Sequence, residues 1–584
     1  MKSLKYLNKY FIKYKWRLLL GVLITVLAKI LTLKIPDFVG DSLNIVEDYQ
    51  LGKVTDISEV KTVLLNNILL IIGVTLLGGF FTFLMRQTII VMSRMIEFDL
   101  KNEIYQQYQR LSNNFYKKNR TGDLMNRISE DVSKVRMYFG PAIMYSLNML
   151  VSLAIGFSQM YAISPKLTLY TMIPFPILSV SIFVLSKQIN KRSTVVQQYL
   201  SKLTTFNQEF FSGINVVKSY AIEEEVIASF DEIADQSKEK NIELYKIQAL
   251  FFPLMILLIG LSNIIVLYIG GKQYIAGEIQ LGAIGAFVMY VNILTWPVAV
   301  VGWVTSMVQQ AEASQQRINE FLEEIPEIVN TTTVTTEVEG KIEFKDVSLT
   351  YDDTNITALS NVNLIVEKGE TLAILGKTGS GKTTIINLIS RLYDVSEGAV
   401  LIDGINIKEC NLYDVRRQIG FVPQDPFLFS DTIQNNIKFG KEDATEEEII
   451  AAAKNAVIHD NIIDFKEGYK TILGERGVTL SGGQKQRTSI ARAIIKNPKI
   501  LIFDDCLSAV DTETEEQILS NLEKVSNDKT TIIISHRVSS AKNADKIIIL
   551  DDGKIIQQGV HNQLIETEGY YKELYEQQLL EKEM

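Results

Sequence analysis

Residues 371 to 384 read TLAILGKTGSGKTT: an apolar run, a glycine-rich loop, then the start of a helical pattern. Within it Gly376, Gly381, Lys382 and Thr383 have the spacing G-x-x-x-x-G-K-T, and the strand, loop and helix start follow in the order a phosphate-binding loop requires. Glycines let backbone N–H groups wrap phosphate oxygens at a helix N-terminus, where the unpaired amides carry partial positive charge. Lys382 reaches the β and γ phosphates, and the Thr383 hydroxyl is offered to Mg²⁺. Gly376, Lys377, Thr378, Gly379, Ser380, Gly381, Lys382, Thr383 and Thr384 are therefore the candidate nucleotide-binding residues. The region around them, from about Lys341 onward, reads as an α/β domain, opening on the alternating stretch KIEFKDVSLTYDD.

Hydrolysis needs a second half of the site. KILIFDD, 499 to 505, is a buried-type strand that ends on Asp504, where a carboxylate can hold Mg²⁺ through water, and is followed at once by Asp505. A further apolar strand, TTIIIS, 530 to 535, leads into His536. A histidine at the C-terminal edge of such a sheet is placed for γ-phosphate contact, although a lone histidine elsewhere is usually structural.

Upstream the composition changes. The chain has 584 residues, 47% of them hydrophobic, with a net charge of -9, too long for one soluble core and too apolar for ordinary soluble domains. Six segments satisfy the ~20-residue criterion for crossing a bilayer: 18–45, 63–93, 135–162, 166–188, 248–271 and 281–308. Lys2, Lys5, Lys9, Lys13, Lys15 and Arg17 precede the first, whereas Asp37, Asp41, Glu47, Asp48, Asp56 and Glu59 follow it, so the positive-inside rule puts both termini in the cytosol. The opening stretch MKSLKYLNKYFIKYKWRLLL has no cleavage site and reads as an interfacial elbow before a span. Charged helical patterns at 94–134 and 189–247 project into the cytosol, and each is interrupted, at LSNNFYKKNRTGD and FFSGINVVKSYAIEEE. Each interruption is either a docking turn or a plain hairpin tip.

Lys29, Lys34, Arg86 and Arg94 fall in or near the apolar runs and either line a polar cavity or, for Lys34 and Arg94, snorkel to the interface. Pro174, Pro176, Pro253 and Pro297 should loosen spans four to six. Phe80, Phe81, Phe83, Met85, Phe251, Phe252, Trp296 and Trp303 either line a cavity or face lipid and neighbouring helices. The acidic balance excludes a generally basic nucleic-acid binder. Cys410 and Cys506 lack any zinc or disulfide spacing and read as reduced cytosolic thiols.

Between the phosphate loop and the strand that ends on Asp504 lies LSGGQKQR, 480 to 487, and with it the chain resembles an ABC transporter along essentially its whole length. The layout is that of an exporter-type half-transporter: a membrane all-α six-helix transmembrane domain (1–320), a threonine-rich linker (321–340) and an α/β P-loop nucleotide-binding domain (341–584). The resemblance implies ATP and Mg²⁺ as ligands, with Tyr351 stacking on adenine and Gln424, in FVPQDPFLFS, touching Mg²⁺ and the attacking water. Ser481, Gly482, Gly483 and Gln484 would close on the γ-phosphate bound by a partner subunit, SAVD ending at Asp511 would link the two sites, and His536 would be the switch histidine. The two cytosolic interruptions would be coupling helices.

Catalysis would rest on Asp505, His536 and Gln424, and the metal on Thr383, Gln424 and Asp504. The resemblance also implies a multi-pass protein of a bacterial cell membrane that moves small amphipathic or lipid-like solutes outward, working with a second half-transporter. The family's pattern has glutamate where this chain has Asp505, as in the degenerate-site subunit of heterodimeric exporters. That departure favours a non-identical partner over a homodimer that hydrolyses with Asp505. A membrane ATPase that regulates without transporting is the reading from another class, and which solute is moved is not legible.

Overall fold

The computed structural model describes residues 3–507, 510, 512–526 and 528–583, without the side chains at 299, 476, 512 and 581–583. Most of the SAVD stretch, including Asp511, lies outside the described residues. The chain divides into two compact units. One runs to Gln109 and resumes over Thr121–Glu324; the other joins Arg110–Arg120 to the chain from Ile325 onward.

The first unit is helical. A short α1 (Asn8–Lys13) leads into six long helical segments, each long and apolar enough to cross a membrane. These are α2 (Lys15–Gln50), α3 (Ile57–Arg110), α5 (Thr121–Ile163), α6 (Pro165–Ser212), α8 (Glu223–Ile275) and α9 (Leu281–Leu322). Short helices fill the two interruptions: α7 (Ile214–Tyr220) within this unit, and α4 (Asn113–Lys118) on the segment that belongs to the other. Four of the six break beside prolines, as a missing N–H and a ring clash dictate: at Leu33–Lys34 before Pro36, at Ile173 before Pro174, at Ala249–Leu250 before Pro253, and at Val300 after Pro297. A further proline, Pro141, sits in a π-helical turn over Tyr138–Ala142, which accommodates the same defect without stopping the helix.

Leu19, Leu20, Leu23 and Leu27 on α2 and Leu69, Ile72, Leu76, Phe80 and Phe83 on α3 are exposed, as bilayer-facing residues should be. Trp296, Trp303 and Phe252 are exposed as well, whereas Met85 is buried. The elbow is zipped to α3 by Lys9 (2.6 Å) and Tyr10 (2.8 Å) on Glu103, and by Lys13 (2.6 Å) and Tyr14 (2.9 Å) on Asp99. Lys34 pairs with Asp37 at 3.0 Å and Arg94 with Glu97 at 2.9 Å, so both charges are met locally. Lys29 is half-buried and Arg86 lies on an exposed face of α3.

The second unit holds two sheets. The smaller is antiparallel, ordered β2-β1-β4-β5, from β1 (Ile342–Thr350), β2 (Thr357–Val366), β4 (Glu397–Ile402) and β5 (Ile405–Asn406). The larger runs β10-β9-β3-β8-β7-β6, built from β3 (Thr371–Gly376), β6 (Ile419–Val422), β7 (Ile500–Asp504), β8 (Thr530–Ile534), β9 (Lys546–Asp551) and β10 (Lys554–Gly559). It is parallel except for β10 at its edge. Its inner strands are covered on both faces and so read as unbroken apolar runs; every residue of β7 is buried. One core joins the two sheets through Phe344, Leu364, Ile374, Ile386, Ile502 and Ile532.

The polar stretch after Ile325 is pinned along this unit. Thr331 donates to the Lys408 carbonyl at 2.9 Å, and Asn330 accepts from the Leu412 N–H at 2.9 Å. Segment 110–120 belongs to the same unit: Ser112 and Asn114 donate to Glu327 at 2.8 and 2.9 Å.

Candidate nucleotide site

Parallel strands deliver their C-terminal ends to one edge of the sheet, the place where open α/β sheets bind ligands. Here that edge gathers Gly376 from β3, Asp504 from β7, the residues after Ile534 on β8, and those after Val422 on β6.

The loop after β3 turns into α10 (Lys382–Ile389) through Gly381, at φ +101°. A Cβ there would lie 2.4 Å from the Ala358 carbonyl oxygen, and one on Gly376 would lie 2.1 Å from that of Leu550, so only glycine lets the backbone take this path. Lys382 is 7% exposed, and its ammonium donates to the carbonyls of Gly376 and Lys377, each at 2.8 Å. Burial pushes its pKa down. A cation held under the loop by the loop's own carbonyls is preorganised for phosphate. The Ser380 hydroxyl is buried in the same turn without a protein partner.

Thr383, one residue into α10, places its hydroxyl 3.3 and 3.5 Å from the two carboxylate oxygens of Asp504. Asp504 is 4% exposed, and burial is the main reason its carboxyl titrates near pH 6; the Asp505 charge adds to the rise, while the Thr383 hydrogen bond and Lys382 oppose it. Asp505 follows in the left-handed region, φ +41°, with its N–H on the Ile534 carbonyl at 2.9 Å. Burial raises its pKa as well, against the lowering effect of His536. Gln424 donates to the Asp505 carboxylate at 3.4 Å, so β6, β7 and α10 bring Gln424, Asp505, Asp504, Thr383 and Lys382 into one cluster.

His536 lies just past β8 and is exposed, its backbone carbonyl accepting from Gln578 at 2.8 Å. The next residue, Arg537, pairs with Glu515, which is 2% exposed and also accepts from Ser540 at 2.7 Å. Tyr351 stands beside the loop, its hydroxyl 3.1 Å from that of Thr384 and its ring edge-to-face with Tyr393 at 5.2 Å. The Lys117 ammonium lies 5.1 and 4.9 Å from the two ring centres.

Ser481 caps α11 (Gly482–Ile494), accepting from the Gln484 N–H at 3.3 Å while the Gln484 side chain accepts from the Ser481 N–H at 3.0 Å. This Ser-x-x-Gln capping box is readable in the sequence. Gly482 and Gly483 form the first turn, and these hydrogen bonds stay within the cap. Further along the same helix, Gln486 donates to the Gln424 carbonyl at 3.4 Å. Sequence reasoning did not find Lys117, Tyr393, Glu515, Gln486 or Gln578, because each acts through a partner distant in the chain and carries no local motif.

The donor set suits a hard cation. No group of three or more His, Cys, Asp or Glu able to hold a metal occurs among the described residues. One hydroxyl, one carboxamide and one deep carboxylate are what Mg²⁺ uses when phosphate oxygens and water complete its shell. The glycine cradle and the unpartnered Ser380 hydroxyl suit a phosphate chain equally well.

Comparison with known proteins agrees with this geometry. Residues 18–298 match the family described as ABC transporter transmembrane region, and residues 359–508 the one described as ABC transporter. The chain is 35% identical to the uncharacterized ABC transporter ATP-binding protein YknU of Bacillus subtilis, over 100% of this chain and 99% of that one. It is 37% identical to the multidrug resistance-like ATP-binding protein MdlA of Escherichia coli, covering 84% and 83% of the two chains. With the ATP-dependent lipid A-core flippase of Syntrophus aciditrophicus it shares 36% identity over 83% and 80%. Among solved structures, a bacterial Atm1-family ABC exporter with ATP bound superposes with a TM-score of 0.81 at 26% identity, covering 97% of this chain and 99% of that one. With six membrane-crossing helices in one unit and a phosphate loop, a strand ending on a buried carboxylate and a capped LSGGQ helix in the other, this chain belongs to the ABC transporter family.

Proposed function

We propose that the chain is one half of a dimeric ATP-driven exporter, and that the nucleotide site on its own phosphate loop binds ATP well but turns it over slowly. The observation that carries the second part is Asp505, which holds the position beside Gln424 where the family's pattern has glutamate. Relative to glutamate its carboxylate is drawn back by one C–C bond, about 1.5 Å. General-base catalysis depends on reach before it depends on pKa.

In this reading Tyr351 stacks on adenine, residues 376–384 hold the phosphates, and Lys382 neutralises charge on the β and γ groups. Mg²⁺ held by Thr383, Gln424 and, through water, Asp504 would supply the further neutralisation that phosphoryl transfer needs. Asp505 and Gln424 orient the attacking water, and His536 contacts the γ-phosphate. Ser481 to Gln484, at an exposed helix N-terminus, complete the site on a partner's loop, because a rigid unit cannot fold its own helix end onto its own phosphate loop. An intact LSGGQ beside a shortened catalytic arm favours a non-identical partner that carries the glutamate. A homodimer relying on Asp505 is the alternative.

Residues 1–320 form the transport domain, 321–340 the linker and 341–584 the motor, with both termini cytosolic. α4 and α7 are the coupling helices, and ATP binding biases the membrane helices between inward-open and outward-open states. The transported solute is amphipathic or lipid-like. An apolar cleft between α6 and α8, lined by Val180, Val184, Leu250, Leu257 and the polar Gln188, supports that class.

The test is uptake into inverted membrane vesicles containing the chain and its partner, with a fluorescent amphipathic amine and a fluorescent phospholipid as probes. ATP-dependent accumulation or flipping, lost on Lys382→Ala, is expected. ATP hydrolysis without movement of either probe would favour a non-transporting regulator.

A further inference from the structure

The C-terminal helix α12 (Tyr570–Glu583) presents one stripe to the second unit. Tyr571, fully buried, with Leu574 and Tyr575, packs on Leu375, Val538, Ala541 and Ile549. Residue 578 continues the same stripe at i+3 and i+7 spacing, but there the apolar series gives way to a glutamine.

That glutamine meets the loop after β8. Its amide N–H donates to the His536 carbonyl at 2.8 Å, and its carbonyl oxygen accepts from the Val538 N–H at 2.8 Å. Arg537, between them, is extended at φ -112°, ψ 133°. An extended residue turns the C=O before it and the N–H after it to the same side, so one carboxamide satisfies both as a neighbouring strand would. The Arg537 N–H is held in turn by the Ser535 hydroxyl at 3.0 Å. The backbone dihedrals that aim His536 are thus fixed by a side chain from the end of the chain.

We propose that Gln578 is a positioning residue for His536, through which the C-terminal helix sets the turnover rate without contributing to nucleotide affinity. This rests on the reading that His536 acts at the γ-phosphate. Gln578→Met keeps length and packing and removes both hydrogen bonds.

The experiment uses the full chain in lipid nanodiscs, with Asp505 native and as Asp505→Glu, and compares Gln578→Met, His536→Ala, the double variant and Leu579→Ala, an exposed neighbour on the same helix. Turnover of Gln578→Met should fall about 3- to 30-fold, inside the ~10²-fold that a 1 Å misplacement can produce. ATP affinity, read with a fluorescent ATP analogue, should stay within about 2-fold, because no phosphate or base contact is lost. Leu579→Ala should match its parent, and Gln578→Met should add nothing to His536→Ala, as expected of residues acting as one unit. Amide exchange at Val538 should accelerate in Gln578→Met, an activity-independent readout. Unchanged turnover, a parallel loss of ATP affinity, unchanged Val538 exchange, or a further fall in the His536→Ala background would overturn the proposal. If His536→Ala itself turned over like its parent, the reading of His536 would fall and this inference with it.

Discussion

Asp504→Asn should stabilise the nucleotide-free protein at neutral pH, even though it disables the metal site. The Asp504 carboxyl titrates near 6 where an ordinary aspartate titrates near 3.8, chiefly because it is buried at the end of β7. Each pKa unit corresponds to 1.36 kcal/mol, so keeping this group ionised above pH 6 costs the fold about 3 kcal/mol. The raised pKa means that the folded state holds the proton more tightly than the unfolded chain. Its contribution is therefore full below pH about 4, declines as pH rises through 6, and is a constant penalty above that.

Asparagine is neutral throughout. It weakens one long hydrogen bond from Thr383, worth about 1 kcal/mol, which leaves a net gain of about 2 kcal/mol at pH 7.5. For a unit of this size that is about 4 to 8 °C in melting temperature. Calorimetry of the chain in detergent with a chelator is the assay, because Trp16, Trp296 and Trp303 all lie in the membrane unit and fluorescence would report on the wrong one. The gain should vanish or reverse at pH 4.5. A variant no more stable than the parent at pH 7.5, or a gain independent of pH, would refute the reasoning.

Tyr351→Ala should weaken ATP binding by about 5- to 100-fold, the ~1–3 kcal/mol of one base stacked on one ring, and leave tripolyphosphate binding unchanged. Equal losses for both ligands in parallel titrations would mean that the ring shapes the loop rather than holding adenine. Glu515→Gln leaves the partly exposed Arg537 without its buried carboxylate and should lower stability by about 1 to 3 kcal/mol, read as a fall in melting temperature that is absent from the control Glu513→Gln.

How much of this was legible follows the range of each interaction. The phosphate loop, the buried strand ending on Asp504 and the Ser481 cap are local patterns, and each appears where its residues place it. The prolines at 174, 253 and 297 likewise predict helix breaks, because a missing N–H is a local fact. Both cytosolic interruptions contain short helices rather than bare turns; runs such as NNFYKK and INVVKSY have too little length for a periodic signal. Lys117 over Tyr351, Glu515 under Arg537 and Gln578 across His536 join residues 22 to hundreds of positions apart, and tertiary packing alone assembles them. The alternatives left open for the deep charges separated the same way. Lys34 and Arg94 found carboxylates three residues along their own helices, whereas the half-burial of Lys29 and the exposure of Arg86 follow from no local pattern.

The central claim is that this subunit's own site holds ATP more than it hydrolyses it. It is tested most directly by purifying the chain alone, reconstituting it in lipid, and comparing ATP turnover and affinity with Asp505→Glu. Restoring the missing ~1.5 Å of reach should raise turnover by about 10²-fold with affinity unchanged. Robust turnover by the unaltered chain, unaffected by the substitution, would contradict the account.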